Sequence, residues 1–239
     1  MVATKIQMYY NMSRGEIMKT LKKAFQIALV SILGVITLLS VIGSIINKSK
    51  LDKIKVQDEN IVFFGDSITE GYNVKEFYDE YRVVNSGISG NTTNDLINRI
   101  DSDLYDYNPS VVIIQIGTND IRASIKDEEI INNLKTIIKG IRKNRKNASI
   151  LIESIYPLNR DMDAEYWNDV NPDYNNKHII KLNNDIKELC KKESIKYIDI
   201  YTSLLDNNKN LKEVYSKEGL HLTDLGYYKV TRIIKKFLN

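Results

Sequence analysis

The sequence is short of the residues from which covalent cross-links and metal sites are built: of 239 residues, one is cysteine and two are histidine. The lone Cys190 excludes an internal disulfide and any multi-cysteine zinc site, and its place in the helical pattern beside Ile186 and Leu189 reads as ordinary burial. With only His178 and His221, a site made of several imidazoles cannot form within one chain. A strong charge imbalance is missing too. The formal net charge is +3, and the basic residues are spread along helices instead of gathered with aromatics, which speaks against a nucleic-acid partner. There is no internal repeat and no low-complexity tract. The chain does have 43% hydrophobic and 27% charged residues, enough to bury the core of one domain with appendages.

From Ala24 to Ile46 no residue is charged, and about 20 apolar residues suffice to cross a bilayer as a helix. Lys22 and Lys23 precede this run and Lys48 and Lys50 follow it, cations whose stems stay apolar while their heads reach lipid headgroups. A cleaved signal peptide competes, with Val41 and Gly43 as small residues before a cut, but signal cores run only about 7 to 15 residues. A buried helix of a globular domain fits poorly, because the run is apolar on every face. The expected organisation is a basic leader over 1–23, a transmembrane helix over 24–46, a charged linker over 47–59 and a folded domain over 60–239. Cations before and after the span nearly balance, so orientation rests on the short basic leader. That leader places the domain outside the cell membrane in a single-pass arrangement.

Beyond residue 60, short β-rich runs alternate with helical patterns: IVFF at 61–64, RVVN at 82–85, VVIIQI at 111–116, SILIESI at 149–155 and KYIDI at 196–200. Helical stretches fall at about 92–100, 127–146, 178–193 and 224–238. This alternation predicts an α/β domain of three layers, a five-stranded parallel sheet covered by helices on both faces. In such sheets the ligand crevice lies beyond the carboxyl ends of the strands.

The informative turns lie at those ends. The first strand runs into Gly65-Asp66-Ser67-Ile68-Thr69-Glu70-Gly71, where a hydroxyl meets backbone amides and the positive end of a helix. Ser67 can be a nucleophile there, or Asp66 and Ser67 can simply cap the helix. The G-x-S-x-G elbow of α/β-hydrolases is absent, since Thr69 stands where its second glycine belongs. The second strand ends in Asn85-Ser86-Gly87-Ile88-Ser89-Gly90-Asn91, whose glycines let backbone N–H groups approach a substrate oxygen. The third ends in Gly117-Thr118-Asn119-Asp120. Together these turns could hold an oxyanion, and each alone reads as a plain turn. Before the last helix, Glu218 stands three residues ahead of His221, so a carboxylate can orient an imidazole that activates a serine. His178 sits on the exposed side of an amphipathic pattern and is assigned no chemistry.

The four blocks GDSITEG, the Gly87 turn, GTND and x-G-L-H-L, in this order, resemble the SGNH hydrolases, also called the GDSL esterase and lipase family. The resemblance covers nearly all of residues 60–239. It implies a flavodoxin-like fold in which Ser67 attacks an ester, His221 is the base, and the oxyanion is held by the Ser67 amide, the Gly87 amide and the Asn119 side chain. It implies no metal or cofactor and a short-acyl ester, acetyl before long-chain fat, on a small molecule or glycan. The family usually has aspartate where this chain has Glu218. The glutamate can reach the imidazole after a loop adjustment, or a Ser67–His221 pair can work on a backbone carbonyl. Asp66 and Trp167 are expected at the substrate, the latter from a polar, aromatic stretch over 158–176 that is either substrate wall or plain surface loop. Rival readings are a lysophospholipase or thioesterase at the membrane, and a decayed module that only binds glycan.

Overall fold

The computed structural model describes residues 14–57 and 60–238 and divides into two units, Met1–Lys55 and Val56–Asn239. In the first, helix α1 (Arg14–Gln57) carries an apolar stretch, Gly15–Gly43, none of which is buried. Its apolar side chains point outward all round, with Phe25, Val30 and Leu39 each more than half exposed. The Ser31 hydroxyl donates to the Ile27 carbonyl at 2.9 Å and that of Thr37 to the Leu33 carbonyl at 3.1 Å, so these polar groups are satisfied within the helix. The helix is long and apolar enough to cross a membrane, a property signal sequences near an N-terminus share. Helix continues through most of the expected linker, while residues 1–13 of the expected leader and Asp58 and Glu59 of that linker lie outside the described residues.

The second unit is built on five parallel strands: β1 (Asn60–Gly65), β2 (Arg82–Gly87), β3 (Val111–Gln115), β4 (Ser149–Glu153) and β5 (Lys196–Ile198), in the order β2-β1-β3-β4-β5. This is the flavodoxin-like order. The chain reverses its direction of travel across the sheet between β1 and β3, so the crevice lies at their carboxyl ends. Flanking helices follow in chain order as α2 (Ser67–Glu70), α3 (Val74–Phe77), α4 (Thr93–Asn98), α5 (Ile100–Asp103), α6 (Thr118–Arg122), α7 (Asp127–Asn144), α8 (Ala164–Trp167), α9 (Asn176–Lys192) and α10 (Asp224–Leu238).

Each element follows from its own pattern. Residues 61–65 and 111–115 are buried without interruption, as strands covered on both faces must be. Helix α7 buries Ile130, Leu134, Ile137, Ile138 and Ile141, an i, i+4, i+7, i+8 stripe. Helix α9 begins where the Asn175 side chain accepts the His178 N–H, and it buries Ile179, Leu182, Ile186, Leu189 and Cys190. Three expected strands run longer than the ladder does. Ile116, Ile155 and Ile200 are buried yet unpaired, because apolar residues continue for as long as the core does while the chain has already turned away toward the crevice.

Candidate active site

At the end of β1 the chain turns sharply into α2. Asp66 has extended backbone, and its Oδ1 accepts the Ile68 N–H at 2.9 Å, capping the helix. That cap sends Asp66 inward and leaves Ser67 as the half-exposed residue at the helix start. Among the described residues nothing accepts the Ser67 N–H, one of the orphan donors of a helix's first turn. The last helix locks this turn from below. The Tyr227 hydroxyl donates to the Ile68 carbonyl at 2.8 Å, and its ring stacks on Tyr72 at 4.7 Å.

His221 comes to Ser67 from 154 residues away, with Nε2 3.0 Å from Oγ. Its Nδ1 meets Glu218 Oε1 in a short contact, and the same oxygen accepts the His221 backbone N–H at 2.9 Å. The longer glutamate therefore folds back on its own loop and reaches the ring. The loop is closed by Ser216, whose hydroxyl accepts the Gly219 N–H at 2.8 Å and donates to the His221 carbonyl at 3.3 Å. His178 stays apart. It is half-buried rather than exposed, with Nε2 2.7 Å from Asp127 Oδ1 and Nδ1 3.0 Å from the Asp173 carbonyl.

The turns after β2 and β3 meet beside Ser67, but not every expected donor is open. Gly87 belongs to the ladder, opposite Gly65, and its N–H donates to Asn85 Oδ1 at 2.9 Å. A side chain at Gly87 would put Cβ 2.1 Å from the Glu70 nitrogen, so glycine is required there for close passage of α2. The Gly87 N–H, expected to face the substrate, is thus engaged within its own turn. Gly90 differs. It is exposed with φ +79°, and among the described residues its N–H has no partner. Asn119, on α6, donates one amide hydrogen to the Asn91 carbonyl at 3.0 Å, which sets its side chain against the residue after Gly90.

Two more expectations change. Asp66, expected at the substrate, is wholly buried, with Oδ1 on the Ile68 N–H. Trp167 is 4% exposed, and its Nε1 donates to the Glu218 carbonyl at 2.9 Å, so it faces the histidine loop rather than an open substrate wall. Capping turns Asp66 inward, and packing against the histidine loop buries Trp167.

Other residues that shape the site carried no distinct signal. The Asn85 amide nitrogen donates to the carbonyls of Thr69 and Tyr72 at 2.7 and 2.8 Å, tying the end of α2 to β2. Buried Asp120 accepts the Thr93 N–H and hydroxyl, pinning the start of α4 to α6. Arg99 donates to the Gly65 and Ser86 carbonyls at 2.8 and 3.0 Å and to Asn91 Oδ1 at 2.6 Å, gathering β1, β2 and the Gly90 turn. Asn, Asp and Arg of this kind occur in any turn or helix, and only the partners reveal their work.

Beneath the nucleophile turn lie two further buried carboxyls. Burial, with the neighbouring Asp120 charge adding to it, pushes Asp66 up to about 7 against the Ile68 hydrogen bond. Burial likewise pushes Glu153 up to about 8, aided by the charge of Asp66 and opposed by the bond from the Tyr156 hydroxyl. Among the described residues no three His, Cys, Asp or Glu side chains gather as a metal site.

The chain is similar to several known proteins. The chain is 27% identical over 117 residues to the platelet-activating factor acetylhydrolase IB subunit beta homolog of Drosophila melanogaster, a match covering 47% of this chain and 51% of the fly protein. It thus spans about half the length of that curated relative. A solved structure from Streptococcus pneumonia, named as a candidate platelet activating factor, is 28% identical with a TM-score of 0.71, covering 85% of this chain and 99% of that one. An acetylxylan esterase of Geobacillus stearothermophilus shares the fold at 19% identity and a TM-score of 0.61, over 77% of this chain and 95% of that one. Residues 63–229 match the GDSL-like Lipase/Acylhydrolase family, and the chain belongs to that family of hydrolases acting on ester bonds.

Proposed function

We propose that this protein is a serine esterase in which Ser67 is the nucleophile, His221 its base and Glu218 the group that orients the base. The continuous contact from Ser67 Oγ through the imidazole to Glu218 Oε1 carries the reading. The serine oxygen attacks the ester carbonyl as its proton passes to Nε2. The imidazolium then returns that proton to the leaving alcohol, and water, deprotonated by His221 in turn, releases the acid and frees Ser67. The negative oxygen of each tetrahedral species is held by the Ser67 N–H, the Asn119 amide and the Gly90 N–H, which replaces the Gly87 N–H in this role because it is free. The chemistry needs no metal or cofactor.

The acyl group is short, acetyl in the first instance, on a carbohydrate or other extracellular small molecule. Support comes from the acetylhydrolase name of the fly relative and from the fold shared with an acetylxylan esterase. The apolar stretch of α1 anchors the chain in the cell membrane with the hydrolase domain outside. The test is kcat/KM for nitrophenyl esters of graded acyl length, measured on the full chain in detergent. The acetyl ester is expected to be the best substrate. A kcat/KM that rises with acyl length would instead support a lysophospholipase or thioesterase, and no acylation burst at all would support a binding module.

A further inference from the structure

The backbone at residues 218 and 219 is held from the segment that follows β4. Trp167 Nε1 donates to the Glu218 carbonyl at 2.9 Å, and the Asn159 N–H donates to the Gly219 carbonyl at 2.9 Å. Gly219, with φ +96°, sits so close beneath this segment that a Cβ there would lie 1.9 Å from the Asn159 oxygen and 3.0 Å from Trp167 Nε1. Trp167 is itself fixed. Its ring lies 5.1 Å from that of Tyr166 and 5.8 Å from that of Tyr174. The Arg160 guanidinium stands 5.4 Å from its centroid and donates to the carbonyls of Trp167, Val170, Asn171 and Tyr174 at 3.1–3.3 Å. One cation on four carbonyls cross-links the stretch 160–174.

This matters because a glutamate that must reach Nδ1 has three rotatable bonds, one more than aspartate, and so more ways to miss. Its carboxylate end is fixed by the two N–H groups of His221, and its backbone end by whatever holds the 218 carbonyl. We propose that Trp167 is a positioning residue for the Glu218–His221 pair, its indole N–H setting the backbone from which the longer acid reaches the imidazole. This inference rests on the reading of Glu218 as the orienting acid.

The experiment is a double-mutant cycle on the full chain in detergent, with Trp167→Phe, Glu218→Gln and both together. A misplacement of about 1 Å can cost about 10²-fold in turnover, so Trp167→Phe, which keeps a ring and removes the N–H, should lower kcat by about 10- to 100-fold with KM within about twofold. In the Glu218→Gln background the same change should cost less than about twofold, since there is no acid left to position. Equal losses in both backgrounds would overturn the positioning role while leaving Glu218 as the acid. Wild-type kcat in Glu218→Gln alone would overturn the acid assignment and the positioning role with it. Should Trp167→Phe not fold, the wild type decides the matter. Trp167 is the only tryptophan, so an ¹⁵N-labelled chain gives one indole N–H signal. Exchange slowed by about 10²-fold or more supports the bond to Glu218, and exchange as fast as in free tryptophan overturns it.

Discussion

Glu218 differs from the family's usual aspartate by one methylene, and that length is absorbed by folding the carboxylate back onto the His221 N–H. If Glu218 orients the imidazole, Glu218→Gln is expected to lower kcat by up to about 10⁴-fold, while Glu218→Asp, whose shorter arm hangs from a pinned backbone, should lie between the two. Near-normal kcat in the glutamine variant, with an unchanged thermal midpoint, would leave a Ser67–His221 pair in place of the triad. Ser67→Ala is expected to abolish turnover by about 10⁶-fold with little change in midpoint, because the side chain is half-exposed and its removal opens no cavity in the core. Wild-type-like turnover in that variant would refute the nucleophile.

At the scale of elements, the carboxyl ends of β1 and β4 meet in buried acids whose protonation is tied to folding. Asp66 is raised from 3.8 to about 7 and Glu153 from 4.5 to about 8, so over pH 5–7 the native state binds more protons than the unfolded chain. The sign follows: this contribution to stability is full below about pH 4 and is lost as pH rises through the folded values, a change on the order of a few kcal/mol for each group. Asp66→Asn keeps the oxygen that caps Ile68, and Glu153→Gln keeps an acceptor for Tyr156. Both should flatten the fall in thermal midpoint between pH 5 and pH 8, and a slope identical to wild type would contradict the assignment. The strand ends also explain Gly87. Gly87→Ala forces Cβ into α2 and should destabilise the domain by several kcal/mol. Asn119→Ala, by contrast, should lower kcat by about 10² to 10³-fold at a near-constant midpoint.

For the whole molecule, the division into an unburied apolar helix and a separate α/β unit predicts that a chain lacking residues 1–55 is soluble without detergent and keeps its esterase activity, whereas the full chain stays with membranes after an alkaline carbonate wash. Aggregation of the truncated chain would mean that α1 covers part of the core. The α/β pattern, the strand positions and the four motif blocks were legible because burial on both sheet faces writes long apolar runs into the strands, and because chemistry at strand ends needs Gly, Ser, Asn and His at fixed places along the chain. Beyond the pairing of Glu218 with His221 and of His221 with Ser67, the partners of those residues were not legible. Only the tertiary structure brought His221 to Ser67, set Trp167 on the Glu218 carbonyl, and placed Asn119 on the carbonyl after Gly90. The physical reason is that composition and periodicity decide which side chains are buried, while hydrogen bonds between segments distant in the chain depend on where the packed elements place each donor and acceptor.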